Sequence, residues 1–152
     1  MTIEELLEIE EIKKLRSLYS HYYDGAEVDK LANLFTQDAI CEFGENYGGN
    51  WVGKERIHEN YTKWIASEGI PHEVMHAVTN PNITLIDETH AHGRWYLLDL
   101  RTKVGVENPL ILFGIYDDDY RKVFGQWKIS RTRIDFLWPN RDVKADQQEA
   151  AE

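Results

Sequence analysis

The spacing of apolar residues changes once along the chain, and that change decides what it can fold into. In the first part, Ile9, Ile12, Leu15, Tyr19 and Tyr22 or Tyr23 recur every three or four residues, the spacing of one helix face. The pattern predicts a helix over 3–24, closed at Gly25. Val28, Leu31, Leu34 and Phe35 mark a short second helix. Ile57, Tyr61 and Trp64 mark a third that begins after Gly53. The second half is rich in β-branched and aromatic residues and predicts strands over 72–78, 82–87, 93–102, 110–121 and 126–138. Gly125 supplies a hairpin turn between the last two.

Helices followed by strands is the α+β pattern. The expected architecture is a cone-shaped, curved antiparallel sheet packed on three N-terminal helices, with a cavity inside the cone. Residues 1–140 read as one domain and 141–152 as a loose polar tail.

Charge narrows the function. The net formal charge is −10 and Lys and Arg form no run, which excludes a phosphate backbone or an anionic membrane surface as partner. No apolar run approaches the roughly 20 residues that span a bilayer. Residues 1–14 are acidic and amphipathic, unlike a signal peptide. The single cysteine, Cys41, has no internal disulfide partner, and a reducing cytoplasm is the expected location. It lies in an apolar run and reads as a buried small hydrophobe.

Polar residues inside apolar patterns are informative, because burying them costs free energy unless something compensates. Asp24 follows Tyr19, Tyr22 and Tyr23 at the end of the first helix. His76 alternates with Val74 and Val78, and Asp99 shares a strand face with Trp95 and Leu97. If these faces line one cavity, an Asp–His pair and a second carboxylate meet there. A neutral histidine is a good base near neutral pH. A carboxylate on its other nitrogen selects the tautomer and stabilises the imidazolium. Each residue also has a structural reading: Asp24 as a helix end beside Gly25, His76 as a satisfied core histidine, Asp99 as a surface partner of Arg94 or Arg101. His90 and His92 have the spacing of a metal pair but fall at a predicted turn with no third ligand nearby. Neither a metal nor a cofactor is expected.

Three stretches resemble a known family. Residues 23–31, Tyr-Asp-Gly-Ala-Glu-Val-Asp-Lys-Leu, are similar to the exit of the first helix in scytalone dehydratase. Gly93-Arg94-Trp95-Tyr96-Leu97 with Asp99 resembles the middle strand of bile-acid dehydratase. Residues 110–128, with Gly114, Tyr116, Tyr120, Gly125 and Trp127, resemble a hairpin of lindane dehydrochlorinase. The resemblance implies the α+β barrel of SnoaL-like and nuclear transport factor 2-like proteins. It implies catalytic roles for His76, Asp24, Tyr19 and Asp99, and substrate-binding positions at Tyr23, Phe43, Trp95, Thr132 and Phe136. Phe43 stands where the dehydratase has a tyrosine, so a hydroxyl is missing. Phe136 and Thr132 stand where relatives carry an arginine, while Arg131 and Arg133 have outward parity.

The implied activity is a cofactor-independent, dehydratase-type elimination on a small apolar cyclic, polyketide- or steroid-like substrate. The alternatives are an isomerase or polyketide cyclase of the same kind, or a non-catalytic small-ligand-binding protein. The expected assembly is a homotrimer, or a dimer, packed through the outer face of the sheet.

Overall fold

Thr2 starts the first helix. Its hydroxyl accepts the Glu5 N–H at 3.1 Å while the Glu5 carboxylate accepts the Thr2 N–H at 2.8 Å, which satisfies two of the donors every helix start leaves free. A computed structural model describes residues 1–142. Helix α1 spans Ile3–Asp24, α2 Val28–Ala32 and α3 Lys54–Glu68. The strands are β1 (Phe35–Glu42), β2 (Asn50–Val52), β3 (Val74–Leu85), β4 (His90–Arg101), β5 (Leu110–Val123) and β6 (Gln126–Trp138). Residues 143–152 of the predicted loose tail lie outside the described residues. At the start of that tail, Asp142 already pairs antiparallel with Phe136. No helix among the described residues is long and apolar enough to cross a membrane.

The six strands form one sheet in the order β2-β1-β6-β5-β4-β3. Two expectations are corrected here. The sheet is mixed, because β1 runs parallel to β6, and β1 and β2 add strands to the first half. Thr36, Gln37 and Asp38 interrupt the apolar pattern of β1, and a register shift falls between Phe35 and Ile40, so its alternation is masked in the sequence. The predicted strands 72–78 and 82–87 are one strand, β3, with a register shift between Thr79 and Asn82. Asn80 takes a φ of 54° there, and Pro81 is tolerated because β3 is an edge strand with a bulge. The β5–β6 hairpin turns through Phe124 and Gly125, both at positive φ (49° and 76°), as a type I′ turn requires.

Side chains alternate across the sheet. Trp95, Leu97, Tyr116 and Ile134 face the helices with Ile12, Leu15, Tyr19 and Tyr61 in one core. Cys41 is buried in the same core. Arg131 points outward, as its parity requires, and bonds Asp119 at 2.8 Å and Asp117 at 2.7 Å.

The core also holds a fully buried ion pair. Arg16 of α1 and Asp118 of β5 have no solvent exposure and lie 3.2 Å apart. The guanidinium sits 3.4 Å from the Tyr116 ring centre and donates to the Thr132 hydroxyl at 3.2 Å. Tyr120 donates to Asp118 at 2.7 Å and accepts from the Trp95 indole N–H at 2.9 Å. Removing one member of such a pair strands a charge in the core and costs about 3–5 kcal/mol, whereas replacing both with apolar residues is often close to neutral. Asp118→Ala is therefore expected to lower the unfolding free energy by about that amount, and Arg16→Met with Asp118→Leu to recover most of it. Urea denaturation of the single and double variants measures both; additive losses would show that the pair does not act as a unit.

Candidate active site

The C-terminus of α1 lies against the free edge of the sheet. There Asp24 serves two donors of one residue: its Oδ2 accepts the His76 backbone N–H at 3.0 Å and its Oδ1 lies 2.7 Å from His76 Nδ1. The backbone bond satisfies a donor that an edge strand otherwise leaves open. The ring bond sets the tautomer. A carboxylate can only accept, so Nδ1 carries the proton and Nε2 presents its lone pair to the interior. Both side chains are largely buried, His76 at 8% and Asp24 at 9% exposure.

His76 opens into a chamber of about 40 Å³. Beside it on the same wall, Asp99, paired with His76 across β3 and β4, places Oδ2 3.8 Å from His76 Nε2. Asp99 Oδ1 is buried without a hydrogen-bond partner among the described residues. Tyr19 lines the chamber, its hydroxyl 2.8 Å from that of Tyr61. Tyr23 packs its ring edge on His76, centroids 4.3 Å apart, and donates to Glu68 Oε1 at 2.9 Å. Phe43 completes the wall beside Trp51, with ring centres 5.0 Å apart.

A second, larger cavity of about 840 Å³ adjoins this chamber. The two share Phe43, Tyr47, Trp64 and Leu112 as walls. Tyr47 stands between them, tilted against Trp64 at 4.9 Å and stacked with Phe136 at 6.2 Å. It belongs to a 3₁₀ turn, Glu45–Tyr47, flanked by Gly44, Gly48 and Gly49 at positive φ.

The structure thus gathers Asp24, His76, Asp99, Tyr19, Tyr23 and Phe43 around one chamber. Phe136 lines only the outer cavity. Trp95 and Thr132 are corrections: neither lines the chamber, and both are spent on the Arg16–Asp118 cluster beneath it. Inward parity was legible for both, but parity does not reveal how deep a side chain sits. His92 lies on the outer face with Nδ1 2.9 Å from Asp119. The described residues hold no group of three or more His, Cys, Asp or Glu that could bind a metal.

Glu68, which the sequence reading passed over, is the third carboxylate near His76. It ends a helix in an ordinary amphipathic pattern, and only the packing of α3 on α1 turns it inward. Burial raises its pKa against the opposing bond from Tyr23. Burial likewise raises Asp99, although the imidazole pulls the other way. For His76, burial opposes the charged form, but the Asp24 bond and the charges of Asp99, Asp24 and Glu68 together raise its pKa above 6.5.

A histidine whose pKa is raised on folding stabilises the fold fully below its ordinary value of 6.5, and that contribution fades as pH rises through the folded-state pKa. NMR titration of the His76 ring is expected to give a midpoint above 6.5, moved down by Asp24→Asn and by Asp99→Asn. A midpoint below 6.5 would mean that burial outweighs the three carboxylates.

Residues 4–133 match the family model described as SnoaL-like domain. Among solved structures, a Novosphingobium aromaticivorans protein provisionally named a scytalone dehydratase is similar with a TM-score of 0.81 at 23% identity, over 95% of this chain and 97% of that one. LinA is similar with a TM-score of 0.77 at 20% identity, over 90% of each chain. A nuclear transport factor 2-like protein with a cystatin-like fold, also from Novosphingobium aromaticivorans, has a TM-score of 0.76 at 17% identity, over 97% of this chain and 92% of that one.

Proposed function

The chain belongs to the SnoaL-like domain family, and from that premise we propose that it is a cofactor-independent lyase that dehydrates a small apolar cyclic, polyketide- or steroid-like substrate. The observation that carries the reading is the Asp24–His76 contact, which leaves Nε2 as a base facing an aromatic-walled chamber. The likeness to a protein provisionally named a scytalone dehydratase supports an elimination in particular.

The steps balance on residues of the chamber. His76 Nε2 takes a proton from a carbon next to a carbonyl, and the C–H electrons form the new double bond. The C–O bond beyond it breaks, and the departing hydroxide takes a proton from the Asp99 carboxyl to leave as water. The imidazolium then returns its proton to Asp99 across the 3.8 Å gap. Asp24 holds the ring throughout and offsets the charge of the imidazolium. Tyr19, tied to Tyr61, presents a hydroxyl surface to the leaving oxygen. Isomerisation of a double bond begins with the same proton abstraction.

With a turned-over substrate, His76→Ala is expected to reduce kcat by about 10²–10⁴-fold, the usual contribution of a positioned base. Asp24→Asn should lose activity while keeping KM, and Asp99→Asn should remove one limb of the pH–rate profile. Unimpaired turnover by His76→Ala would end the lyase reading and leave a ligand-binding protein.

We also propose that copies of the chain associate through the outer face of the sheet. Tyr96 is 45% exposed there, its ring centre 5.8 Å from that of Phe113, and such an apolar surface calls for cover. Light scattering at micromolar concentration should find a dimer or trimer that Tyr96→Glu disperses; a wild-type monomer would refute it.

A further inference from the structure

The charges around the chamber select its ligand. Its ionisable side chains besides tyrosines, among the described residues, are His76, Glu68 and Asp99. Asp24 adds a third carboxylate through the imidazole. Among the described residues, no lysine or arginine lines either this chamber or the outer cavity, whose ionisable groups besides Tyr47 are Glu45 and Asp142. Arg16, the cation beneath the floor, is neutralised by Asp118 and covered by the Tyr116 ring. Among the described residues lining that path, an anion entering from solvent meets no unspent positive charge except a protonated His76, which Asp24 already faces.

Hydrogen bonding points the same way. Asp99 Oδ1 is buried without a donor among the described residues, and a buried acceptor without a partner costs free energy until a ligand or a proton supplies one. Of the chamber's hydroxyls, Tyr23 donates to Glu68, and Tyr19 and Tyr61 bond each other. Glu68 is thereby held in the wall facing His76, with Tyr23 between them. Arg101 at the end of β4 draws both acids toward their charged forms but lines neither cavity.

We propose that Glu68, through its negative charge, and Asp99, through its open acceptor Oδ1, are specificity-determining residues: the chamber refuses anions and seeks a donor, so its ligand is an uncharged cyclic compound whose O–H points at Asp99 Oδ1, without carboxylate, phosphate or nucleotide-linked acyl group. The inference rests on the reading of the chamber as a small-molecule site. It extends that reading to a rule about charge, and it assigns Glu68 a role in recognition rather than in the proton transfer.

Three probes with one ring system test it by isothermal titration calorimetry at neutral pH: 2-naphthol, 2-methoxynaphthalene, which lacks the donor, and 2-naphthoate, which carries a negative charge. Naphthol is expected to bind about tenfold more tightly than the methoxy compound and about a hundredfold more tightly than naphthoate. Glu68→Gln alone, on a half-buried helix-end residue, should narrow the naphthol–naphthoate ratio to about tenfold. A carboxylate held only for structure would lower the melting temperature without changing that ratio. Naphthoate binding as tightly as naphthol, or a ratio unmoved in Glu68→Gln, would overturn the charge rule and leave the lyase reading standing. If none of the three binds, the small-molecule site itself is refuted, and both readings fall.

Discussion

The Arg16–Asp118 pair is the constraint on which the rest of the molecule depends. Two opposite charges without solvent exposure are tolerable only when they meet, so α1 can lie on the sheet in one register. A helix is a rigid ruler of 1.5 Å per residue, so seating Arg16 places Asp24 about 12 Å farther along, where the helix ends. That end falls at the edge strand, and Asp24 finds both the backbone and the ring of His76. Hence the floor of the chamber and the place of His76 in it are set by one contact deep in the core. The stacking of the guanidinium on Tyr116 and its nearness to Tyr19 (4.3 Å) carry the same constraint into the aromatic wall.

Above that floor, the site is organised by carboxylates rather than by hydrogen-bonded cations. Three acids surround one imidazole, and the physical result is mutual. The acids raise the histidine toward its charged form, while burial raises Asp99 and Glu68 toward their neutral forms. The dyad contact is tight and the Asp99 contact loose, at 2.7 Å and 3.8 Å. One carboxylate orients the ring, and the other lies beside its Nε2.

The departures from relatives' motifs acquire a physical sense in this setting. Phe136, where the resemblance implies an arginine, lines the outer cavity and stacks with Tyr47, so that wall is apolar. Phe43 keeps the ring of a tyrosine but not its hydroxyl and packs edge-on against Trp51. The chamber thus combines the Asp24–His76 pair with aromatic and acidic walls.

Much of this was legible in the sequence because it depends on local periodicity. The extents of α1 and β6 followed from spacing alone, as did the inward parity of His76 and Asp99 and the outward parity of Arg131. What failed were features that no local pattern records. Strand β1 hid behind three polar residues, and its parallel pairing with β6 joins segments about ninety residues apart. Trp95 and Thr132 had the parity of lining residues but lie below the floor, because depth depends on what else fills the core. Arg16 was visible as a charge inside an apolar stripe, four residues after Ile12 and three before Tyr19. Its partner could be named only once β5 lay across α1. Glu68 was invisible altogether, since an acid at the end of an amphipathic helix is ordinary until another helix turns it toward a histidine. The sequence by itself determined which side chains share a face, because that is a property of 3.6- and 2-residue periods. Only the tertiary structure decided which faces meet and how deeply each residue sits, because those follow from the one packing in which the buried charges find each other.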